Sequence, residues 1–215
     1  MIRALVFDFD GVIIDTESAL IEANALVHRR SGKAFSDRLA REAVGRSELH
    51  YDPWAAFGPA ADRTALEREL QALNRELAAR QPVLPGVLDY LRQAKELGLR
   101  VGLASNSSHA HVEGHLGRLG LLGWFEYLRC IEDVPAGKPE PFLYQAVIEK
   151  FGLTGAEAVA IEDSEHGVQA AKRAGLWCVA VSGPSSHDQD FTVADLRLPS
   201  LGDCPLPKLL AQFAG

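Results

Sequence analysis

An α/β fold is predicted by three features of the sequence: a parallel sheet covered by helices on both faces, interrupted by an inserted all-α domain. Short continuous apolar runs recur along the chain, and strands buried on both faces read in this way. From residue 84 onward these runs alternate with segments of helical spacing, the pattern of βαβ units. Between residues 16 and 81 the alternation stops and only helical spacing is found, over a stretch far longer than an ordinary connection.

The elements follow in order. Ala4-Leu5-Val6-Phe7 reads as the first strand. Four later segments resemble it, at residues 99–104, 127–131, 158–161 and 177–181, the third being the weakest. Helical stripes lie between them. Val87, Leu88, Leu91, Ala94 and Leu97 form one, closed by Gly98. Val112, Leu116 and Leu119 form the next, ended by Gly120. Phe142, Leu143, Ala146 and Val147 mark a third, started by Pro139 or Pro141, and Val168, Ala171 and Ala174 a fourth, followed by Gly175. In the insert, Leu20, Ala23 and Val27 recur at helical spacing. Thr64 and Glu67 form a capping box ahead of the stripe Leu66, Leu70, Leu73 and Leu77. Residues 1–15 and 82–215 are thus expected to form the core domain and 16–81 a helical domain, with hinges near Asp15-Thr16 and from Gln81 to Pro85.

Composition narrows the function. Hydrophobic residues make up 47% and charged residues 24% of the 215, ordinary for a globular chain with a core of its own. The net charge of -7 lacks the basic footprint of a nucleic-acid binder. Three cysteines, Cys130, Cys178 and Cys204, match neither a zinc nor a redox spacing and are expected as reduced thiols. No signal peptide or membrane span is read, so a cytoplasmic protein without membrane or nucleic-acid partners is expected.

Ligands of open α/β sheets bind at the carboxyl ends of the strands. Asp8, Asp10 and Gly11 follow the first strand, Ser105-Asn106 the second, Lys138 lies after the third, and Glu162-Asp163 follow the fourth. Taken singly, an Asp-x-Asp is often a turn, Ser105-Asn106 a helix cap and Lys138 a surface lysine. Taken together, they suit phosphate chemistry. Clustered carboxylates repel one another, and Mg²⁺ with oxygen ligands relieves that. The carboxylates of Asp8 and Asp163, with the backbone carbonyl of Asp10, could supply such a site, and Glu162 could ligate directly or hold a metal-bound water. An aspartate can also attack phosphorus, and a neighbouring one can serve as acid and base.

The joint order of these motifs resembles the haloacid dehalogenase-like hydrolase superfamily, over nearly the whole chain. Residues 8–17 look like its first motif, Ser105-Asn106 its second, Lys138-Pro139 its third, and Ile161-Glu162-Asp163-Ser164 with Gly167 and Ala170-Ala171 its fourth. The insert resembles the C1-type cap of the beta-phosphoglucomutase and phosphoglycolate phosphatase branch. The resemblance implies a Rossmann-like core, Mg²⁺ as cofactor, Asp8 as nucleophile and Asp10 as acid/base. It also implies substrate binding by Gly11, Ser105, Asn106 and Lys138. An acid at Asp10 favours phosphoryl transfer over dehalogenation.

The expected activity is hydrolysis of a small phosphorylated metabolite through an aspartyl-phosphate, by a monomer or weak homodimer. A phosphomutase is the alternative, and a non-catalytic phospho-acceptor or phosphate-binding protein the rival of another class. Against the mutase, the position twelve residues after the nucleophile, a histidine in beta-phosphoglucomutase, is Leu20 here, and the nearby candidate is His28. Arg46 in the insert suits a carboxylate or second phosphate at the substrate's far end, or is a solvated arginine. Glu17 reads as a first-turn acid or a hydrogen-bond partner of the closed cap. His109, His111 and His115 read as surface histidines of a helix rather than a second metal site.

Overall fold

The computed structural model of the chain describes residues 1–43, 52–183 and 189–213. Six parallel strands form one sheet, in the order β3-β2-β1-β4-β5-β6. They are β1 (Ala4–Phe7), β2 (Arg100–Ala104), β3 (Tyr127–Arg129), β4 (Ala158–Glu162), β5 (Trp177–Val181) and β6 (Leu196–Leu198). Helices α1 (Thr16–Arg30), α2 (Asp37–Ala43) and α3 (Arg63–Ala78) lie between β1 and β2, followed by α4 (Val87–Glu96). The remainder are α5 (His109–Leu119), α6 (Phe142–Phe151), α7 (Glu165–Arg173) and α8 (Leu206–Leu210). No described helix is long and apolar enough to cross a membrane.

Alternation along the strands gives the sheet two unlike faces. Leu5, Phe7, Val101, Leu103, Val159 and Ile161 pack against α4, α5 and α8. Ala4, Val6, Ala104, Ala158, Ala160 and Ala180 pack against α6 and α7. The second face is lined mainly by small residues, so its helices sit close: a Cβ on Gly102 would lie 2.5 Å from Val147 Cγ1. The insert carries its own apolar cluster, built from Ala23, Val27, Trp54, Leu70 and Leu73. Its two connections to the sheet are tied together, for Leu84 N–H donates to the Ile13 carbonyl at 2.9 Å.

Three local expectations need correction. The cap of α3 is Asp62, which accepts from Ala65 N–H, and not Thr64. The third strand stops at Arg129, because the Cys130 N–H turns to the Asp133 carboxylate at 2.9 Å instead of a neighbouring strand. The sixth strand was not expected. It is three residues long and half exposed at the sheet edge, and so lacks the apolar run that marks a buried strand. All three cysteines are free and buried, as expected.

Candidate active site

In the sheet order, β1 lies between β2 and β4, and the connections leave it in opposite directions. The crevice at such a reversal opens over the carboxyl ends of the strands. The register pairs Phe7 with both Leu103 and Ile161, so the residues that follow each strand reach the same level. Asp8, Ser105, Glu162 and Asp163 are brought together there by backbone alone, and all four are buried.

Lys138 closes the group. Its Nζ donates to Asp8 Oδ1 at 2.5 Å and to Glu162 Oε1 at 2.5 Å. Tyr144 Oη donates to the same Glu162 oxygen at 2.6 Å, and Asp163 N–H and the Ser164 hydroxyl reach its other oxygen at 3.1 and 3.2 Å. Both oxygens of Glu162 are therefore occupied by donors. Gly167 makes room for that carboxylate, since a Cβ there would lie 2.0 Å from it. Gly11 serves the same end for Asp163: at φ +77 it lets the chain pass where a Cβ would come within 1.9 Å of the Asp163 carboxylate.

The electrostatics follow from three acids and one lysine in a dry place. Burial pushes Asp8 up to about 8; Lys138 pulls it down, while Glu162 and Asp10 push further up. Burial, then Glu17, Asp8 and Glu162, raise Asp163 well above the carboxylate range. Burial works against the Lys138 ammonium, yet Asp8 and Glu162 outweigh it and hold its pKa above the ordinary value. Asp8, Glu162 and Asp163 offer oxygens within 4.8 Å of one another. One ammonium cannot neutralise three carboxylates, so this all-oxygen donor set fits a hard divalent cation.

Asp10 faces away from this group. Its carboxylate accepts from Thr16 Oγ1 and Ser107 Oγ at 2.5 Å each and meets His111 Nε2 at 2.9 Å. Burial would raise Asp10, but the hydrogen bonds from His111, Ser107 and Thr16 and the His111 charge outweigh it and hold its pKa below the usual value. The hydrogen bond to Asp10 in turn raises His111, against the effect of burial. His111 is thus no surface histidine, as the sequence suggested. It stands in the first turn of α5, whose N-cap is Ser108, and the helix start aims it back at β1.

The other expected residues are placed as follows. The side chain of Asn106 is spent on the Lys138 backbone, accepting from its N–H at 2.8 Å and donating to its carbonyl at 3.3 Å. Ser105 Oγ accepts from Ser107 N–H at 3.0 Å. His28 is buried in the insert, between the Asn24 and Pro53 carbonyls and against Phe35, Trp54 and Phe57. That environment is an aromatic core, so the expected mutase candidate does not reach the site. His109 bridges Glu113 and Asp133. Arg46 lies outside the described residues.

Residues 2–175 fit the haloacid dehalogenase-like hydrolase family. YhcW of Bacillus subtilis, a protein named as a phosphatase, is 36% identical over 214 residues, covering 98% of this chain and 97% of the relative. Hexitol phosphatase B of Escherichia coli is 33% identical, covering 97% of each chain. CbbY from Rhodobacter sphaeroides, solved in complex with phosphate, superposes with a TM-score of 0.74 at 26% identity, over 94% of this chain and 96% of that one. A parallel sheet with its acids at the strand ends and a sequence match across most of its length place the chain in the haloacid dehalogenase-like hydrolase family, as an enzyme.

Proposed function

We propose that this enzyme is a Mg²⁺-dependent phosphatase that hydrolyses a small polyhydroxylated phosphate monoester through an aspartyl-phosphate on Asp8. The observation that carries the reading is Lys138 bridging Asp8 and Glu162 beside buried Asp163. Asp8 and Asp163 would hold the cation, with Glu162 behind them fixing Lys138. When bound, Mg²⁺ would supply charge neutralisation for the carboxylates and for phosphate oxygens.

The chain's own groups supply the rest. Lys138, the Ser105 hydroxyl and the loop that Asn106 holds in place orient the phosphate. Gly11 lets the loop after β1 pass close beside Asp163. Asp8 attacks phosphorus in line, and Asp10 delivers a proton to the departing oxygen. That proton comes from His111, which meets Asp10 at 2.9 Å and has a raised pKa, so Asp10 is left ionised. Once the alcohol has left, Asp10 takes a proton from water, which attacks the aspartyl-phosphate and releases phosphate.

Residues 16–81 form the cap over the site in this reading. A cavity of about 330 Å³ lies between Asp10, Ser107 and His111 on one side and Glu17, Leu20 and Asn74 on the other. Glu17 Oε2 and Asn74 Oδ1 are buried acceptors without partners among the described residues. Such acceptors suit the hydroxyl groups of a polyol or sugar, in keeping with the hexitol phosphatase relative. Leu20 in the wall and His28 out of reach favour hydrolysis over mutase chemistry.

The test is phosphate release from a panel of polyol and sugar phosphates, with Mg²⁺ or with chelator, for the wild type and Asp8→Asn. Mg²⁺-dependent release that disappears in the folded variant is expected. Undiminished release by Asp8→Asn would overturn the nucleophile, and no release from any ester would overturn the phosphatase.

A further inference from the structure

A second cavity adjoins the first along the seam between α3 and α5. It measures about 410 Å³ and is lined by Arg75, Ala79, Ala110, His111, Gly114, His115 and Arg118. His111 belongs to both walls. Its Nε2 meets Asp10 at 2.9 Å, and its ring centre lies 4.8 Å from that of His115. The two cavities are therefore neighbours, with His111 in the wall of both and His115 beside it in the second.

The two cavities differ in charge. The first is walled by Asp10 and Glu17. The second has two arginines and two histidines and, among the described residues, no carboxylate in its wall, in a protein with 29 acidic residues and a net charge of -7. Nor are the two arginines consumed by ion pairs. Arg75 and Arg118 take part in none among the described residues, whereas Arg80, one turn and a half beyond Arg75, pairs with Glu76. Arg118 spends one nitrogen on the cap, donating to the Gln81 carbonyl at 3.1 Å and reaching toward that of Ala78 at 3.5 Å. That contact fixes its head at the seam and leaves the other N–H groups of the guanidinium for a ligand.

We infer that this seam is a subsite for an anionic group at the far end of the substrate, read by Arg75 and Arg118. The inference rests on the phosphatase reading and narrows it: the preferred ester carries a polyhydroxylated chain with the scissile phosphate at one end and a carboxylate or second phosphate at the other. The first cavity accepts the hydroxyls and the second the charge. Arginine suits both anions through its paired donors.

Three matched probes test this: sorbitol phosphorylated on one terminal hydroxyl, sorbitol phosphorylated on both, and gluconate phosphorylated on the hydroxyl farthest from its carboxylate. The wild type is expected to prefer the two anion-ended probes by about tenfold in kcat/KM, mostly through KM. Arg75→Gln is expected to erase that preference, and Arg75→Lys to restore part of it. Comparing the carboxylate and bisphosphate probes identifies which anion the seam takes. Equal kcat/KM for all three in the wild type, or an undiminished preference in Arg75→Gln, would overturn the subsite. Release from none of them would count against the phosphatase instead. The subsite is then read by calorimetric binding of the gluconate ester to Asp8→Asn, with and without Arg75→Gln. Binding weakened about tenfold by the second substitution supports it, and unchanged binding overturns it.

Discussion

Asp10 and Glu17 face one small space and titrate in opposite directions. Three hydrogen bonds hold Asp10 ionised, while burial, with Asp10, Asp15 and Glu162 nearby, lifts Glu17 from 4.5 to about 7. A carboxyl whose folded pKa exceeds its unfolded one stabilises the fold fully below the unfolded value, and that stabilisation is lost as pH rises through the folded value. Glu17→Gln is therefore expected to be more stable than the wild type at pH 8, by about 2 kcal/mol, and no more stable at pH 4. Thermal unfolding in metal-free buffer at the two pH values checks it. His111→Phe keeps a ring against Phe9 but removes the partner of Asp10. Steady-state kinetics should show kcat lowered about tenfold or more with KM little changed. Asp8, Asp10 and Lys138 were legible in the sequence because each follows a strand. His111 was not, since three histidines in seven residues give no sign of which one a helix start will aim inward. The only available signal was its place in the first turn after Ser105-Asn106.

At the scale of elements, helix distance is set by small residues on one face of the sheet. Gly102→Ala would place a methyl group 2.5 Å from Val147 and 3.2 Å from Phe151. It is expected to cost about 1–3 kcal/mol in urea unfolding, while Asp8 and Lys138, above the far end of the strand, keep their chemistry. The two-faced pattern was hidden in the sequence, where alanine and leucine both read as apolar. The four longer strands, β1, β2, β4 and β5, were legible because burial on both faces forces unbroken apolar runs, whereas β3 is three half-buried residues and gave the weaker signal. The edge strand β6 escapes that demand, and Asp62 outcompetes Thr64 as a cap because its carboxylate meets the Ala65 N–H at 3.0 Å.

For the whole molecule, three buried carboxylates around one lysine are a standing cost that a bound cation would relieve. Mg²⁺ should raise Tm, by about 2–4 °C for each kcal/mol of binding, and a chelator should reverse this. Asp163→Asn should lose the response and unfold at a higher temperature than the metal-free wild type, because it removes a charge that burial disfavours. Differential scanning fluorimetry with and without Mg²⁺ decides it. The helical character of the stretch between β1 and β2 was legible from the missing alternation between residues 16 and 81, where α1, α2 and α3 lie. The seam between α3 and α5 was not, because it joins Arg75 and Arg118 from elements that only the folded chain brings together.

The strand order has a consequence for how the chain is made. β1 leaves the ribosome before either of its partners, yet it is the strand both must flank: β2 begins at Arg100 and β4 at Ala158. An apolar ribbon bearing Asp8 must therefore wait through roughly 150 residues of synthesis, several seconds or more at ordinary translation speed. Meanwhile the insert, with its own apolar cluster, can complete itself first. Assembly during translation would then start in the insert and reach the sheet later, with the candidate active site assembled only when β4 emerges and gives β1 its second neighbour.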